Sequence, residues 1–180
     1  QTRIYREWNV PQRGQRDLVL LDLAADVLGG GKTSRLYQRL VYRDKLVDDV
    51  EVGISPFELA SQFVLQADIK QGVDPGKVEA AIADEWQRFL AEGPTAEELA
   101  RIQTLNRAAT VRGLERALGK ASRLGESALY LGAPDKWKQI LAWNHLTSAG
   151  FLNGSCRERY NADRYQQRQE SLQHVSSNRV

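Results

Sequence analysis

Apolar and polar residues alternate in three segments of the first half of the chain, a pattern typical of β-strands with one solvated face. The alternation is clearest over 62–70, where four apolar residues fall at every second position: Phe63, Leu65, Ala67 and Ile69. Shorter alternations predict strands at 2–10, which Pro11 ends, and at 50–54, which Pro56 ends. The first half of the chain therefore predicts three strands.

Apolar residues at helical spacing predict helices over most of the remaining chain. Two of the helix starts also carry a cap. Asp74 precedes Pro75, and Thr95 with Glu98 forms a capping box, in which each side chain accepts the other residue's backbone N–H. The predicted helices cover 17–28, 34–43, 75–92, 97–119, 121–131, 136–146 and 147–160.

Three consecutive glycines, Gly29, Gly30 and Gly31, separate the first two of these helices. A glycine inside a helix costs about 1 kcal/mol relative to alanine, so three in succession end a helix. At least one of them is expected to adopt a positive φ. Thr33 or Ser34 can then cap the next helix by accepting a backbone N–H with its hydroxyl oxygen.

The stretch Gly31-Lys32-Thr33 also suggests a phosphate-binding loop, but two observations exclude that interpretation. Such a loop needs a glycine five residues before Gly31, and Asp26 occupies that position. The loop also has to follow a strand, whereas the residues before these glycines have helical spacing. We therefore do not predict a nucleotide site.

The elements together predict an α+β fold with a mixed, largely antiparallel sheet and helices packed mainly on one face. We expect this domain to span residues 1–160. The end of the chain is mostly Gln, Ser, Arg and Asn, which cannot bury enough surface to offset the entropy of ordering. Residues 161–180 are accordingly predicted to form a frayed polar tail.

Composition narrows the class of protein. The chain of 180 residues is 42% apolar and 27% charged, which is ordinary for a globular domain. Its net charge of +2 comes from 25 basic and 23 acidic residues that are interspersed, so nucleic acid is not an expected partner. No apolar run approaches 18 residues, and no membrane span is predicted. Because the chain starts with Gln1, we expect it to be a piece of a longer protein.

The candidate chemistry is sparse. His145 and His174 are far apart and form no helical zinc motif, so neither a metal ligand nor a catalytic residue is predicted. Cys156 is the single cysteine and cannot form an internal disulfide. Glu97 and Glu98 are helix neighbours that point in different directions, which favours capping over an acid–base pair. The arginines of the second helix are expected to stay solvated: Arg35, Arg39 and Arg43.

Five sequence motifs stand out along the chain: RIYREWNVPQ at 3–12, LGGGKTSRLYQRLVY at 28–42, GVDP at 72–75, EGPTAEEL at 92–99 and RGLER at 112–116. In this order and spacing they resemble the insulinase-like zinc peptidases, the family of pitrilysin and the mitochondrial processing peptidase. The bacterial members are the most similar. The resemblance implies a processing-peptidase-like domain of the non-zinc, C-terminal type.

The resemblance also implies a function. The family builds its enzymes from paired α/β domains that enclose a chamber for peptides, and it holds zinc with a His-x-x-Glu-His motif in the preceding domain. This chain would then be a non-catalytic domain of a zinc metalloendopeptidase that forms part of the chamber and supports the zinc-bearing domain. It would hold no cofactor itself, and zinc would belong to the parent enzyme. The implied partners are that upstream domain, or a partner subunit of the same family, and a peptide substrate.

One alternative stays open, because the family also includes zinc-free subunits that bind other chains without cleaving them. The alternative is that the chain belongs to such a structural or interaction subunit, so whether its parent is an enzyme is left undecided. The substrate and the oligomeric state cannot be read from the residues. The compartment is also unknown, although the resemblance favours the bacterial periplasm for the parent.

In some family members a glycine-rich loop at the position of Gly29, Gly30 and Gly31 contacts substrate, which makes these residues the candidate site; the alternative is a turn that only ends a helix. An Arg and a Tyr that grip substrate in the family's last domain are replaced here by Val41 and Asp48. That replacement favours the domain adjoining the zinc domain. The lead-in to the family's last strand is similar to 161–165, but no apolar strand follows, so we expect a truncated domain.

Overall fold

The computed structural model describes residues 1–144. The predicted helix 147–160 and the predicted tail 161–180 lie outside the described residues. The same is true of three side chains considered above: His145, Cys156 and His174.

The sheet consists of three antiparallel strands: β1 (Arg3–Val10), β2 (Val47–Ser55) and β3 (Ser61–Ile69). Although β3 is the last in sequence, it lies between the other two. Phe63 on β3 is opposite both Trp8 on β1 and Ile54 on β2. Because residues two apart share a face, this register collects the apolar residues of all three strands on one side. The three predicted strands are confirmed.

Helices make up most of the rest of the described chain. They are α1 (Arg16–Gly29), a π-helical segment (Tyr37–Arg43), α2 (Pro75–Glu92), α3 (Ala96–Glu115), α4 (Ala117–Leu131) and α5 (Trp137–Trp143). The α-helix predicted over 34–43 is therefore wrong in kind. The amide of Asp44 donates to the carbonyl of Arg39, five residues back, at 2.8 Å. This wider turn keeps Leu36 and Leu40 completely buried.

The helices cover one face of the sheet. On that face α1 packs along β2, and Leu20, Leu23 and Leu28 of α1 are buried. α2 reaches β1, where the rings of Trp86 and Trp8 stack with centroids 5.3 Å apart. The largest hydrophobic contribution to stability therefore comes from this layer, since burial of apolar area is the dominant favourable term in folding.

The one charged residue on the apolar side of β1 is Arg6. Its guanidinium forms an ion pair with Glu79 of α2 at 3.3 Å. The pair lets a cation lie beside the core without being left uncompensated.

The opposite face of the sheet is polar and open in the described part of the chain. Its β1 side chains are all exposed: Arg3, Tyr5, Glu7 and Asn9. One row of this face, Tyr5, Gln66 and Glu51, crosses the three strands. Arg3 makes a bidentate ion pair with Asp68. The α+β fold with helices packed mainly on one face is thus confirmed.

Both predicted helix caps are confirmed. The carboxylate of Asp74 accepts the amide of Gly76 at 3.0 Å at the start of α2. At the start of α3, the hydroxyl of Thr95 accepts the amide of Glu98 at 3.1 Å, and the carboxylate of Glu98 accepts the amide of Thr95 at 2.8 Å. These bonds satisfy backbone donors that a helix start leaves unpaired.

The break predicted near Gly119 lies three residues earlier. Arg116 is extended, with φ −92° and ψ 141°, and separates α3 from α4. Gly113 and Gly119 face each other across this bend, so closely that a Cβ on Gly119 would collide with the carbonyl of Gly113. The two glycines therefore mark the sides of the bend and not its centre.

Candidate functional site: the glycine turn

The candidate site is the turn that follows α1, residues 29–34, which we call the glycine turn. Gly30 donates its amide to the carbonyl of Asp26 at 3.0 Å, the last bond of the helix. Gly31 then adopts φ +100°, as expected for at least one of the glycines. The amide of Ser34 donates to the carbonyl of Gly31 at 3.0 Å and closes the turn. The three glycines thus end α1 as predicted.

A different local constraint favours glycine at each of the three positions. A Cβ on Gly29, which is buried, would lie 2.5 Å from the backbone nitrogen of Val52 on β2. A Cβ on Gly30 would lie 2.5 Å from the Cα of Asp26. Gly31 has open space around its Cα, but its positive φ disfavours other residues. Of the three, Gly29 is buried, Gly30 is half-buried and Gly31 is exposed.

The hydroxyl groups of the turn do not cap the next helix in the way the sequence suggests. Ser34 is buried, and its Oγ donates to the carbonyl of Gly31 at 2.6 Å instead of accepting an amide. The Oγ1 of Thr33 accepts a hydrogen bond from Arg101 on α3 at 2.7 Å. The expected capping role is therefore wrong. Both hydroxyls instead fix the turn, one internally and one to α3.

The surface of the turn is cationic. Lys32 is exposed beside Gly31, and Arg101 lies at Thr33. Beneath the turn, Asp26 accepts a hydrogen bond from Asn106 at 3.1 Å. Burial raises the pKa of Asp26, against the opposing effects of that hydrogen bond and of Arg101. Such a surface can offer hydrogen bonds to a peptide.

An ion pair joins the glycine turn to the junction between α2 and α3. Arg35, directly after the turn, donates two hydrogen bonds of 2.7 Å to the carboxylate of Glu98. It also donates to the carbonyl of Gly93 at 2.9 Å. Burial alone would raise the pKa of Glu98, but the hydrogen bonds from Arg35 and from the amide of Thr95 outweigh it and hold this pKa below its ordinary value.

Sequence reasoning missed this pair and expected the arginines of the 34–43 segment to stay solvated. Arg35 is only 13% exposed, and Arg39 is 15% exposed in an ion pair with buried Glu85. Arg43 is exposed as expected. No local sequence pattern could indicate that Arg35 pairs with Glu98, because the two residues are far apart in sequence. Glu85, a carboxylate on the apolar side of its helix, was the only available hint that a cation lies opposite.

The described residues do not provide a zinc site. Residues 1–144 contain no group of three His, Cys, Asp or Glu side chains arranged to hold a metal ion. A tetrahedral zinc site needs three or four such ligands, so zinc does not fit this part of the chain. None of the helices in this part has the length and apolar character that a membrane crossing needs.

The fold is that of an α+β domain in which helices cover one face of a three-stranded antiparallel sheet. Residues 1–106 match the family model described as "Peptidase M16 inactive domain". The chain belongs to this family, the inactive domains of M16 peptidases, as its sequence motifs indicate. A comparison with curated proteins gives no match.

Solved structures with the same fold come from several organisms. A protease from Helicobacter pylori has a TM-score of 0.75 at 20% identity, over 83% of this chain and 36% of its own. A peptidase M16 inactive domain from Pseudomonas fluorescens has a TM-score of 0.74 at 17% identity, over 83% of this chain and 36% of its own. A chain of complex III2 from Candida albicans, with Inz-5 bound, has a TM-score of 0.67 at 14% identity, over 83% and 38%. The chain thus spans about a third of the length of these proteins.

Proposed function

We propose that this chain is the non-catalytic domain of a bacterial zinc metalloendopeptidase of the processing-peptidase type. It forms part of the chamber that encloses peptides, and it supports the His-x-x-Glu-His domain that lies outside this chain. The observation that supports this proposal is the difference between the two faces of the sheet. Helices bury one face, whereas the other is polar and open within residues 1–144. A sheet with one free polar face can wall a water-filled cavity.

The open face has the chemistry that a peptide wall needs. The row of Tyr5, Gln66 and Glu51 offers an aromatic ring, an amide and a carboxylate across three adjacent strands. Tyr5 is 56% exposed although it is a large aromatic residue. Aromatic side chains with a polar tip are typical contact residues at interfaces. Arg3 and Asp68 neutralise each other at the end of the same face.

The test places a photo-crosslinking amino acid at Gln66 in the complete parent protein, which is then mixed with a long peptide and illuminated. The matched control carries the same amino acid at Lys120, which is exposed on α4. We expect the peptide to be captured from position 66 and not from position 120. An active parent that captures peptide from neither position would contradict the chamber role.

The second candidate is a zinc-free structural subunit of the same family, and a chain of complex III2, a multi-subunit assembly, has the same fold. The two candidates differ in the metal content of the parent. Under the first, the gene encodes His-x-x-Glu-His upstream of Gln1, or a partner subunit supplies it, and the purified assembly contains zinc. Under the second, neither the parent nor its partners contain the motif, and the assembly carries no stoichiometric zinc.

The glycine turn formed by Gly29, Gly30 and Gly31 is part of the proposal as a contact for substrate, in which buried Gly29 shapes the turn and its exposed part meets the peptide. The exposed position is Gly31, so a side chain added there would intrude on a peptide that passes over the turn. Gly31→Asn is the suitable change, because Asn tolerates positive φ better than other residues. Gly72→Asn is the matched control, since Gly72 also has positive φ and open space but precedes α2.

The measurement is kcat/KM of the parent for a long and a short peptide. We expect Gly31→Asn to lower kcat/KM for the long peptide more than for the short one, and Gly72→Asn to leave the ratio unchanged. If the ratio of kcat/KM for the long peptide to that for the short peptide were the same in both variants, and both melted like the wild type, the turn would have only a structural role.

We also propose that the domain extends over residues 1–160 and that residues 161–180 form a polar tail. Limited proteolysis should then remove the tail first, because cleavage concentrates in segments without tertiary contacts. A first cut well before residue 160 would contradict this boundary.

A further inference from the structure

One stretch of the chain concentrates positive charge, although basic and acidic residues are interspersed over the chain as a whole. Residues 101–123, most of α3 and the first half of α4, carry six basic side chains and a single acid, Glu115. Because the whole chain has a net charge of only +2, the remaining residues are negative in sum. We call this stretch the basic α3–α4 segment. Its cations are Arg101, Arg107, Arg112, Arg116, Lys120 and Arg123.

The cations of this segment differ from the other arginines in having no carboxylate partner within residues 1–144. Arg101 donates to a neutral group, the hydroxyl of Thr33, and the other five are exposed and form no ion pair in this part of the chain. Elsewhere even exposed arginines are paired. The paired ones are Arg3, Arg6, Arg13, Arg35, Arg39, Arg43 and Arg88.

The basic α3–α4 segment also exposes aliphatic side chains among its cations. Leu118 is 78% exposed, Val111 is 56% exposed and Leu105 is 51% exposed. Arg107 and Val111 are four residues apart in α3, so they lie next to each other on the helix surface. The cations are mostly arginines, and protein–protein interfaces are enriched in Arg and depleted in Lys. The segment thus has the composition of an interface for an anionic partner.

The same composition distinguishes a protein partner from other polyanions. Nucleic acid is contacted chiefly at its phosphates by cations and polar groups, which gives no reason to expose Leu118 and Val111. Proteins that lie on a membrane are commonly anchored at its interface by aromatic residues, and the segment contains none. A protein surface with carboxylates around aliphatic side chains complements both the charge and the apolar groups.

We propose that the basic α3–α4 segment is the docking surface for a partner protein whose contacting segment is acidic and amphipathic. The partner's carboxylates pair with Arg107, Arg112 and Arg116, and its aliphatic side chains cover Val111 and Leu118. α3 packs on α1 in the helical layer and not on the open polar face of the sheet. The inference therefore does not depend on the proposed role in a peptide chamber.

The test measures, by fluorescence anisotropy, how the full 180-residue chain binds a labelled synthetic peptide with Glu and Leu at amphipathic helical spacing. Combined Arg107→Glu, Arg112→Glu and Arg116→Glu should raise the Kd about tenfold or more. The matched control reverses the charge of three exposed lysines elsewhere: Lys45, Lys77 and Lys138. Because it changes the net charge equally, it should alter the Kd by less than about twofold.

A second measurement needs no variant of the chain. Raising the salt from about 0.05 to about 0.5 M NaCl should weaken binding of the Glu–Leu peptide, since salt screens exposed charges. A peptide with Ser in place of every Leu should bind more weakly, because it lacks the apolar contacts.

Three results would overturn the proposal. The first is absence of binding to the Glu–Leu peptide. The second is equal binding of the Glu–Leu and Glu–Ser peptides, or an equal Kd in the charge-reversal variant and its control. The third is tighter binding to phosphatidylglycerol vesicles or to a DNA duplex, lost in the charge-reversal variant, which would assign the segment to a membrane or to nucleic acid.

Discussion

The glycine turn and the α2–α3 junction, residues 93–98, are both short connections between helices, but opposite means fix them. In the glycine turn the backbone comes so close to Val52 and Asp26 that side chains are excluded. At the α2–α3 junction, side chains of Thr95, Glu98 and Arg35 make the bonds that hold the backbone. The glycine turn therefore depends on residues without a side chain, whereas the α2–α3 junction depends on side-chain hydrogen bonds.

This difference explains how each connection responds to change. A missing side chain can only be replaced by something larger, so substitution in the glycine turn causes overpacking. A side-chain hydrogen bond can be removed without steric conflict, and its loss is measured as unsatisfied donors and acceptors. Arg35 links the two connections, because it directly follows the glycine turn in sequence and its side chain donates hydrogen bonds to Gly93 and Glu98 of the α2–α3 junction.

The largest expected effect is the loss of Leu36, the apolar anchor that follows the glycine turn. Leu36 is 0% exposed, so Leu36→Ala leaves a cavity and should lower the free energy of unfolding by about 2–5 kcal/mol. Leu118→Ala is the matched control, because Leu118 is 78% exposed and its removal should change stability by less than about 0.5 kcal/mol. Urea unfolding measures both. Similar losses in the two variants would mean that Leu36 does not anchor the turn.

The next effect separates the glycines from each other. Gly29→Ala forces a methyl group against the backbone of Val52 and should cost about 1–3 kcal/mol. Gly53→Ala is the control, since a Cβ on Gly53 meets nothing within 4 Å and its φ is not positive. It should cost clearly less in the same urea experiment. If Gly53→Ala proved the more costly change, close approach would not be the reason for Gly29.

A smaller effect is expected at the α2–α3 junction. Thr95→Ala removes the hydroxyl that accepts the amide of Glu98 and should lower stability by about 1 kcal/mol. Thr95→Ser keeps an acceptor at the same place and should recover most of the loss. If Ser and Ala behaved alike, the capping bond would not carry the effect.

The features of the two connections that depend on local sequence pattern could be predicted from the sequence. The glycines signalled a turn because they are poor helix formers, and the Thr95–Glu98 spacing signalled a capping box. The long-range parts had no local signal. The π-helical segment depends on how Leu36 and Leu40 reach the core, and the approach of Gly29 to β2 depends on tertiary packing. The family resemblance pointed to the glycine turn as the candidate site, but nothing local could show that Gly29 is buried and Gly31 exposed.

The smallest expected effect is on the acid stability of the α2–α3 junction. The pKa of Glu98 lies below its ordinary value of 4.5 because Arg35 and the amide of Thr95 stabilise the carboxylate against burial. A carboxylate whose pKa is lower in the folded state adds stability that is full above the unfolded pKa and is lost as the pH falls through the folded pKa. The contribution should therefore begin to fall below about pH 4.5 and be lost once the pH is below the pKa of Glu98 in the folded state.

Urea unfolding at about pH 7 and about pH 3 tests this, with Glu98→Gln compared against Glu97→Gln. Both residues lie in the first turn of α3, but Glu97 is exposed and Glu98 is bound by Arg35. Because Glu98 is 23% exposed and solvent screens the pair, we expect its extra loss at neutral pH to stay below about 1 kcal/mol. The difference between the two variants should shrink at the lower pH, since protonation of Glu98 then removes the same charge. A difference that grows on acidification would show that Arg35 binds the α2–α3 junction through the carbonyl of Gly93 alone and that the link between the two connections is not electrostatic.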